Sequence, residues 1–393
     1  MLSKIFQGDR VIWSVYFLLC VISLVEVFSA GSSLTYETGD VFAPLMKQAA
    51  FLSLGTLVVI FIQRIPCRFF RIIPVLLVPL SVLLLLLTFF VGITANDSQR
   101  WLGAGGFSFQ PSEFAKLAVV TVTALLLSRG QTEEGVAVWT FKWILITVGI
   151  MGGLVFPENF STAMLMFGVA FLMMFIGRVQ FLQLGKIVGV FFATGLLVFF
   201  LVQCLPEDSS IMTSGPLHRA STWVNRITTK GKTSDIEDPK DYNLKEHPQE
   251  GYANIAIASS NVVGKMPGNS EERDHLAQAY SDFIYAIIIE EMGIWGACGV
   301  AFLYIVLLFR CGRIANRCKD KYFTFLVMGL SLMMVAQAVL NMLVAVGLFP
   351  VTGQPLPLIS RGGTSTLFTS VYFGMILSVS FFAKRMEQVP EPA

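Results

Sequence analysis

The chain has 393 residues, of which 54% are hydrophobic and only 14% are charged. Soluble domains carry roughly 25% charged residues, so this composition excludes an ordinary soluble protein and indicates one embedded in a membrane. The formal net charge of +2 gives no sign of a nucleic-acid partner, because the basic residues cluster in loops between apolar runs. The six cysteines form no CxxC pair, so we interpret them as small apolar thiols and not as a disulfide framework or a metal site.

Apolar runs near the ~20 residues that cross a bilayer predict ten transmembrane helices. They lie at 11–31, 45–64, 70–93, 113–129, 143–156, 162–177, 184–204, 283–309, 323–349 and 364–383. The run at 143–156 is the shortest, and it needs Trp139 and Phe141 to reach across the membrane. The first run exceeds the roughly 7 to 15 apolar residues of a signal peptide, so we interpret it as an uncleaved helix.

We therefore predict an all-α polytopic membrane protein whose residues 1–393 form a single domain. Lys and Arg concentrate in alternate short loops, and such loops stay on the cytoplasmic side. This asymmetry predicts that both termini are cytoplasmic. The one long loop, 205–282, is then extracytoplasmic and precedes the eighth span.

The segment NDSQRWLGAGGFSFQPSEFAKLA leads from the third span into the fourth. Gln110 or Ser112 is suited to cap the helix that follows. Glu113 and Lys116 are three residues apart, so they share a helical face and can form an ion pair at the membrane boundary. Two interpretations stay open here: a pair that only stabilises the start of the helix, and a functional intramembrane site.

The long loop contains a basic and aromatic stretch, HRASTWVNRI. Arg219, Trp223 and Arg226 recur there at helical spacing, which favours anchoring in the lipid headgroup layer and is compatible with phosphate binding. Three histidines of the loop are too far apart for a known zinc pattern, and we interpret them as exposed side chains: His218, His247 and His275.

The loop continues with YANIAIASSNVV, which is too short to span a bilayer and is predicted to lie at the membrane interface. GKMPGNSEERDH follows. Its Gly264, Lys265 and Gly268 resemble a flexible cradle that binds phosphate through backbone N–H groups and an ammonium. Spacing alone makes this a weak signal, and the pattern is not a Walker motif.

Three carboxylates lie in the stretch AYSDFIYAIIIEEMG at the start of the eighth span. Along this helix a rise of ~1.5 Å and a rotation of ~100° per residue put Glu290 about 12 Å deeper than Asp282 and about 80° away from it. We therefore predict Asp282 at the outer surface, as a functional group or, with Ser281, as a helix N-cap. Glu290 and Glu291 are predicted to bond or ion-pair with neighbouring helices, and Lys116 is one candidate partner.

FPVTGQPLPLISRGGTSTLF separates the last two spans and contains three prolines and three glycines. Non-helical backbone at membrane depth is tolerated only where protein buries it or water reaches it. We therefore predict that this segment lines a cavity.

Three segments together resemble the signature segments of the SEDS family of bacterial cell-envelope proteins (FtsW, RodA and SpoVE): RWLGAGGFSFQPSEFAK, GKMPGNSEERDHLAQAYSDFIYAIIIEEMG and GQPLPLISRGGTS. The resemblance extends through all ten predicted spans and is greatest to the FtsW group, which includes forms with an arginine at the position of Arg361. It implies a peptidoglycan glycosyltransferase that polymerises lipid II on the outer face of the bacterial cytoplasmic membrane. The implied partners are a class B penicillin-binding transpeptidase and other divisome membrane proteins, and the implied location is the division septum.

In the family, the aspartate that opens the helix after the large loop is the essential catalytic residue, and here Asp282 matches it. The resemblance also places Arg100, Glu113 and Lys116 at family motif positions. The sequence departs from the usual Gly-Gly and Pro-Glu pairs at two sites, which are Ser260-Asn261 and Ala277-Gln278. The contribution of the usual glutamate is therefore in doubt.

Lipid II carries a sugar linked through pyrophosphate to a polyprenyl chain. We hypothesise that Asp282 is the general base that takes the proton of the acceptor 4-hydroxyl while that oxygen attacks the donor anomeric carbon. The departing polyprenyl pyrophosphate requires nearby cations and favours a divalent cation, Mg²⁺ or Mn²⁺, with no organic cofactor. The candidate binding residues are Arg100, Arg219, Arg226, Lys265, Ser360 and Arg361, and the supporting intramembrane residues are Gln110, Glu113, Lys116 and Glu290.

Three other functions stay open. A RodA-like elongation polymerase would perform the same chemistry in another process. A lipid II flippase is favoured by the intramembrane carboxylates, such as Glu26, and would translocate lipid even with Asp282 neutralised. A noncatalytic scaffold that activates a penicillin-binding protein would make no glycan once the partner's own active site is disabled.

Overall fold

This computed structural model describes residues 5–31, 42–95, 98–104, 107–133, 135–204, 248–276 and 279–387. Within these ranges the α-helices in chain order are α1 Arg10–Ala30, α2 Ala43–Ile62, α3 Ile73–Val91, α4 Pro111–Arg129, α5 Val138–Val155, α6 Phe160–Ile176, α7 Phe181–Cys204, α8 Pro248–Ser259, α9 Ile284–Arg317, α10 Lys321–Ala345 and α11 Gly363–Glu387. Two short 3₁₀ helices cover Cys67–Arg71 and Glu272–Asp274.

Short antiparallel strands connect some of these helices. The three-stranded sheet between α3 and α4 has the order β1 Ile93–Ala95, β2 Ser98–Ala104 and β3 Phe107–Phe109. Leu102 pairs with Phe109 in its second hairpin. A two-stranded hairpin between α4 and α5 consists of β4 Gln131–Thr132 and β5 Gly135–Val136.

The helices coincide with the predicted spans, except that Gly293 interrupts the helix of the eighth predicted span. Eight of them, α1 to α5 and α9 to α11, are long and apolar enough to cross a bilayer. The apolar helices α6 and α7 lie at the sixth and seventh predicted runs. α5 begins at Val138, so Trp139 and Phe141 extend it to 18 residues. The all-α prediction is confirmed, and the direction in which each helix crosses the membrane stays a prediction.

The fourth helix forms the centre of the described bundle. In α4, 78% of the most apolar window is buried inside the protein, against 22% in α2 and α3. Its neighbours are α3, α5, α6 and α10. The helix begins at Pro111, where a missing backbone N–H costs nothing. Gln110 occupies the N-cap position without a side-chain cap bond, so the predicted cap is wrong.

The first helix and most of α9 run antiparallel. Asp9 caps the start of α1 and accepts a hydrogen bond from Arg310, toward the end of α9, at 2.7 Å. At the opposite end of α1, the Ser29 hydroxyl donates a hydrogen bond to Glu291, near the start of α9. We call this second end of α1, which the sequence predicts to be extracytoplasmic, the outer end.

A break at Gly293 divides α9 into a short arm (284–292) and a long arm (294–317). The 34 residues of α9 would span about 51 Å as one straight helix, well beyond the ~30 Å hydrocarbon core. Gly293 has φ +65° and ψ −166°, a backbone region that is essentially restricted to glycine. The Tyr285 hydroxyl donates to the Ala297 carbonyl at 3.2 Å, although these residues are about 18 Å apart in a straight helix. The short arm therefore folds back beside the long arm.

This break reverses the predicted depth order of the three carboxylates. Glu291 contacts Ser29 in the last turn of α1, at the outer end. The short arm leads from there back into the bundle, and Asp282 lies beyond its far end. The prediction of one helix with Asp282 outside and Glu290 deeper is therefore wrong, because it assumed that Gly293 continues the helix.

The loop that precedes Asp282 fits against the break. Breaking the helix at Gly293 leaves backbone carbonyls without their usual partners four residues later. The Lys265 N–H donates to the Glu290 carbonyl at 2.9 Å, and the Met266 N–H donates to the Glu291 carbonyl at 2.8 Å. A Cβ on Gly264 would lie 2.3 Å from the Glu291 carbonyl oxygen, so only a glycine allows this approach.

The segment between α10 and α11 is non-helical and deeply buried. Leu356, Ile359 and Ser360 are each at most 1% exposed. Its carbonyl groups accept hydrogen bonds from side chains of surrounding helices, including Ser23 of α1 to Ile359 at 2.9 Å and Tyr304 of α9 to Pro357 at 2.6 Å. Protein therefore satisfies this backbone. The prediction that this segment lines a cavity is therefore wrong for residues 356–360, which protein encloses. Residues 361–365 are partly exposed.

The reversal of α9 predicts a large difference between two glycine substitutions. In Gly293→Ala the new Cβ would meet the Val262 carbonyl oxygen at 2.4 Å in a glycine-only conformation, so we expect a loss of about 2 kcal/mol or more. In Gly299→Ala, on the long arm, no described atom lies within 4 Å, and we expect stability equal to or above that of the wild type. Thermal unfolding in detergent measures both, and equal Tm values for the two variants would contradict the break.

Candidate functional site

Asp282 lies in a turn just before the short arm of α9. It is 9% exposed, and the Ser281 hydroxyl donates to its Oδ1 at 3.1 Å. The N-cap position of α9 is Phe283, and no side chain caps the helix there. The alternative interpretation of Asp282 or Ser281 as an N-cap is therefore wrong. The Asp282 carboxylate is not used to start the helix.

The segment between α10 and α11 holds this turn in place. The Ser360 hydroxyl donates to the Ser281 carbonyl at 2.6 Å and accepts from the Leu356 N–H at 2.7 Å. Its one hydrogen is thus used inside the protein, so the prediction that Ser360 binds pyrophosphate is wrong and its role is to position the turn. The next residue, Arg361, donates its backbone N–H to the Tyr280 carbonyl at 2.9 Å.

Arg361 brings a cation to the same turn. Its guanidinium carbon lies 5.3 Å from the centre of the Tyr280 ring, a cation–π arrangement. The residue is half-buried, unlike its fully buried neighbour Ser360. Arg361 therefore presents a positive charge beside Tyr280, which is two residues before Asp282, and the core does not enclose this charge.

The predicted ion pair on α4 is formed. Lys116 Nζ lies 2.7 Å from Glu113 Oε1, and the two side chains are only 3% and 6% exposed. Lys116 also donates to Gln337 Oε1 at 2.9 Å. The proposed pairing of Lys116 with Glu290 is wrong, because Glu290 lies at the outer end and pairs with Lys265.

Two residues of α10 connect the three motif segments, and sequence reasoning missed both. Gln337 accepts from Lys116 and donates to the Pro355 carbonyl at 2.8 Å. Asn341 donates to the carbonyls of Asp282 at 3.0 Å and of Gln354 at 2.8 Å. The available signal was a pair of amides four residues apart in an apolar helix, which places them on one face.

A second charged cluster lies at the outer end. Glu290 is fully buried and accepts from Lys265 Nζ at 2.9 Å, from the Ser270 hydroxyl at 2.5 Å and from the Glu271 N–H at 3.0 Å. Lys265 also binds the Glu271 carboxylate at 3.0 Å. The Lys265 ammonium lies between two carboxylates, and its backbone N–H donates to the Glu290 carbonyl and is not available to a phosphate. The pyrophosphate-binding role of Lys265 stays a prediction.

The titration of Lys265 follows from these contacts. The hydrogen bond to Glu290 holds the pKa of Lys265 above its ordinary value, and Glu271 acts in the same direction. A lysine whose folded pKa is raised contributes stability below its unfolded pKa of ~10.4 and loses it as pH rises through the folded value. Lys265 therefore carries its positive charge at neutral pH.

Glu291 completes the outer cluster. Its carboxylate accepts from the Ser29 hydroxyl and from the Ser270 N–H, the latter at 3.3 Å. Arg273 donates to the Ser29 carbonyl at 3.2 Å and to the Gly268 carbonyl at 2.9 Å. Burial, followed by the charge of Glu290, raises the pKa of the adjacent Glu272. The predicted framework role of Glu291 is confirmed, with the correction that the framework lies at the outer end.

Several predicted site residues have no described side chain. Arg219 and Arg226 lie outside the described residues, and Arg100 is described only as backbone on β2. Their predicted phosphate-binding roles stay predictions. His275, on the described part of the long loop, stacks on Tyr252 with ring centres 5.1 Å apart.

The predicted divalent cation has no matching ligand set in the described part of the chain. No group of three or more His, Cys, Asp or Glu side chains within 5–31, 42–95, 98–104, 107–133, 135–204, 248–276 and 279–387 is arranged to hold a metal ion. A protein that holds Mg²⁺ without its substrate needs several oxygen ligands, whereas one or two carboxylates suffice when substrate phosphates complete the coordination. These residues therefore do not fit a cation held by the protein alone.

The sequence is similar to one protein family and to several named relatives. The sequence model of the family described as "Cell cycle protein", named for FtsW, RodA and SpoVE, matches residues 9–385. A relative from Bacillus subtilis (strain 168), named probable peptidoglycan glycosyltransferase FtsW, is 30% identical over 311 residues, covering 78% of this chain and 73% of the relative. Stage V sporulation protein E of the same organism is 29% identical over 393 residues, covering 98% of this chain and 100% of the relative.

Solved structures share the fold at 23% sequence identity. A chain from the structure described as "Structural coordination of polymerization and crosslinking by a peptidoglycan synthase complex" has a TM-score of 0.73, covering 97% of this chain and 99% of that chain. The rod shape determining protein RodA of Thermus thermophilus has a TM-score of 0.64, covering 95% of this chain and 96% of that chain.

The outer cluster predicts that substituting Lys265 destabilises the protein more than substituting its exposed partner Glu271. Lys265→Met would leave the fully buried Glu290 without its cation, and we expect a loss of about 3 kcal/mol. Glu271→Gln removes only a pair whose carboxylate side chain is 76% exposed, so we expect a loss below about 1 kcal/mol. Thermal unfolding of the purified protein measures both. If Lys265→Met is no less stable than Glu271→Gln, the outer cluster does not hold the short arm.

Proposed function

The chain belongs to the cell cycle protein family of FtsW, RodA and SpoVE, and from this we propose that it is a peptidoglycan glycosyltransferase that polymerises lipid II. The observation that carries the proposal is the meeting of three distant segments at the Asp282 turn. Ser360 and Arg361 bind the turn directly, and α10 connects it to Lys116. Segments so far apart in sequence are thus brought together at the turn that carries the Asp282 carboxylate.

In the proposed reaction Asp282 is the general base. Its carboxylate takes the proton of the acceptor 4-hydroxyl as that oxygen forms a bond to the donor anomeric carbon. The bond from the anomeric carbon to the phosphate oxygen breaks, and polyprenyl pyrophosphate leaves with the electron pair. One displacement inverts the anomeric centre, so an α-linked donor becomes a β-linked glycan.

Charge on the departing pyrophosphate requires a cation beside the turn. Among the candidate cations, Arg361 is the one whose side chain is described beside the turn, because it lies against Tyr280 and is half-buried. Arg100, Arg219 and Arg226 are further proposed contacts. Lys265 and Lys116 are less suited, because carboxylates already balance their charges. A divalent cation would enter with the substrate pyrophosphate, whose oxygens supply ligands that the described side chains do not.

The depth of Asp282 sets how the substrate approaches. The turn is tied through Ser360 and its neighbour Ile359 to Ser23, which lies about 9 Å along α1 from Ser29 at the outer end. The sugar must therefore enter the bundle from the outer side. Its polyprenyl anchor keeps it near the membrane surface, from which that entry is short.

We assign the chain to cell division, at the septum and within the bacterial inner membrane, on its similarity to relatives named FtsW. A class B penicillin-binding transpeptidase is the proposed partner, together with other divisome membrane proteins. A structural neighbour described as part of a peptidoglycan synthase complex supports a partnered enzyme. A RodA-like role in elongation is the second candidate, supported by the likeness of the fold to RodA.

The other two functions are less favoured. A flippase would use intramembrane carboxylates along a path, but Glu113 and Glu290 are each held by a lysine, in two separate clusters. Glu26 is buried on α1 close to Glu291 and belongs to the outer cluster. A noncatalytic scaffold would not require the backbone of the Asp282 turn to be held by α10 and by the segment between α10 and α11. Both functions make opposite predictions for the experiment below.

The general-base role predicts the effect of Asp282→Asn. Asparagine keeps the size of the side chain and cannot accept the proton, so we expect the rate of lipid II polymerisation to fall about 10²–10⁴-fold. Glycan products are measured with purified protein, with and without a class B transpeptidase whose own active site is disabled. The matched control is Asp274→Asn, an exposed aspartate on the same loop, for which we expect the wild-type rate.

The outcomes separate the candidate functions. A wild-type rate for Asp282→Asn would overturn the assignment of the base. Polymerisation that is absent from the wild type in both conditions would favour the scaffold. Lipid II translocation into vesicles that is unchanged in Asp282→Asn would favour the flippase.

The leaving-group role predicts the effect of substituting Arg361. Arg361→Gln removes the positive charge beside the turn and keeps a long polar side chain, so we expect kcat to fall about tenfold or more. Arg361→Lys keeps the charge without the planar guanidinium, and we expect an intermediate rate. Equal rates for all three proteins would remove Arg361 from the site.

A further inference from the structure

Two amide side chains of α10 are placed at the junction of the candidate site. Gln337 is 5% exposed and Asn341 is 1% exposed, in a helix that is otherwise strongly apolar. They are one turn apart, about 6 Å along the same face. Burying an amide without hydrogen-bond partners costs roughly 2 to 7 kcal/mol. The hydrogen bonds available to Gln337 and Asn341 therefore determine the orientation of their side-chain amides.

The contacts of Asn341 determine the orientation of its amide. Both of its partners, the Asp282 and Gln354 carbonyls, are acceptors only. The NH₂ group must therefore face them, and the two hydrogens of Nδ2 are both used. Gln354 in turn donates to the Thr162 hydroxyl of α6 at 2.7 Å. The backbone of Asp282 is thus connected through Asn341 to α10 and, through Gln354, to α6.

The contacts of Gln337 are equally determined. Its Oε1 accepts from the Lys116 ammonium, so its Nε2 must be the atom that donates to the Pro355 carbonyl. Pro355 directly follows Gln354, the second partner of Asn341. The two amides of α10 therefore donate to the carbonyls of two adjacent residues, Gln354 and Pro355, in one buried segment. In addition, Gln337 accepts from the Lys116 ammonium and Asn341 donates to the Asp282 carbonyl.

We propose that Gln337 and Asn341 are positioning residues for the reaction, which hold Lys116 and Asp282 at a separation determined by one turn of α10. This inference rests on the proposed function of Asp282. Neither amide touches the reacting atoms in the arrangement described. Each acts through the residue that it holds, Asn341 through the backbone of the base and Gln337 through the buried ammonium.

Other hydrogen bonds also hold the Asp282 turn, so we expect loss of Asn341 to shift Asp282 without unfolding the turn. Ser360 and Arg361 bond to the carbonyls of Ser281 and Tyr280. Loss of Asn341 therefore releases the last carbonyl of the turn, while the preceding two remain held. A displacement of about 1 Å in a reacting group can reduce a rate about 10²-fold. The expected result is a folded protein with a misplaced base.

The test of Asn341 uses two substitutions of similar size. Asn341→Leu removes both donors, and Asn341→Asp also places acceptors against two carbonyls. We expect kcat for lipid II polymerisation to fall about 10- to 100-fold in Asn341→Leu and further in Asn341→Asp, with KM for lipid II within about twofold of wild type. The control is Ser331→Ala, a fully buried polar residue of α10 whose hydroxyl donates to the Met328 carbonyl of the same helix, and for this variant both constants should be unchanged.

The test of Gln337 separates its two bonds. Gln337→Glu keeps an oxygen for the Lys116 ammonium and loses the donor to Pro355, whereas Gln337→Met loses both. If holding Lys116 is the function of this side chain, Gln337→Glu retains several-fold more activity than Gln337→Met. Equal kcat values for the two would overturn the Gln337 half of the inference.

Stability is measured in parallel, because a purely structural role would act there. A loss of activity that matches the loss of folded protein, with kcat per folded molecule unchanged in both Asn341 variants, would overturn the inference. The same holds if Asn341→Leu polymerises at the wild-type rate while Asp282→Asn is inactive, and the proposed function then stands. A fully active Asp282→Asn would instead overturn the proposed function.

Discussion

The chain reversal at Gly293 is the constraint on which the arrangement of the site depends. A backbone conformation restricted to glycine lets the short arm of α9 fold back beside the long arm, with Tyr285 bonded to Ala297. The carbonyls released by the break are taken by the backbone N–H groups of Lys265 and Met266 in the preceding loop, where Gly264 allows the close approach to Glu291. The reversal carries Asp282 into the bundle and leaves the two glutamates at the outer end.

Hydrogen bonds in an apolar surrounding explain how a non-helical segment survives beside Asp282. Inside a membrane protein each unsatisfied carbonyl costs several kcal/mol. Three helices, α1, α9 and α10, therefore donate hydrogen bonds from polar side chains to the carbonyls of residues 353–361. The donors are Ser23, Tyr304, Gln337 and Asn341. The same bonds that satisfy the backbone also set its position, so stability and precise placement have one physical origin.

Charge is divided between two clusters with different roles. Lys265 with Glu290 holds the outer end, and Lys116 with Glu113 lies on α4 beside α10. In each cluster a buried carboxylate neutralises the lysine, since an unpaired charge is too costly there. A neutralised pair adds little net positive charge for a pyrophosphate. Arg361, which stacks on Tyr280 at the Asp282 turn, is better suited to that task.

The sequence by itself determined the helical membrane fold, the positions of the apolar helices, the Glu113–Lys116 pair and the resemblance that singles out Asp282, because hydrophobic run length and i, i+3 spacing are local properties. Only the tertiary structure decided the depth of Asp282, the partners of Glu290, and the roles of Ser360 and Asn341. Those depend on a chain reversal at one glycine among many and on hydrogen bonds between residues as distant as 281 and 360. Sequence spacing measures neither, since it describes a residue's neighbours along the chain and not those across the bundle.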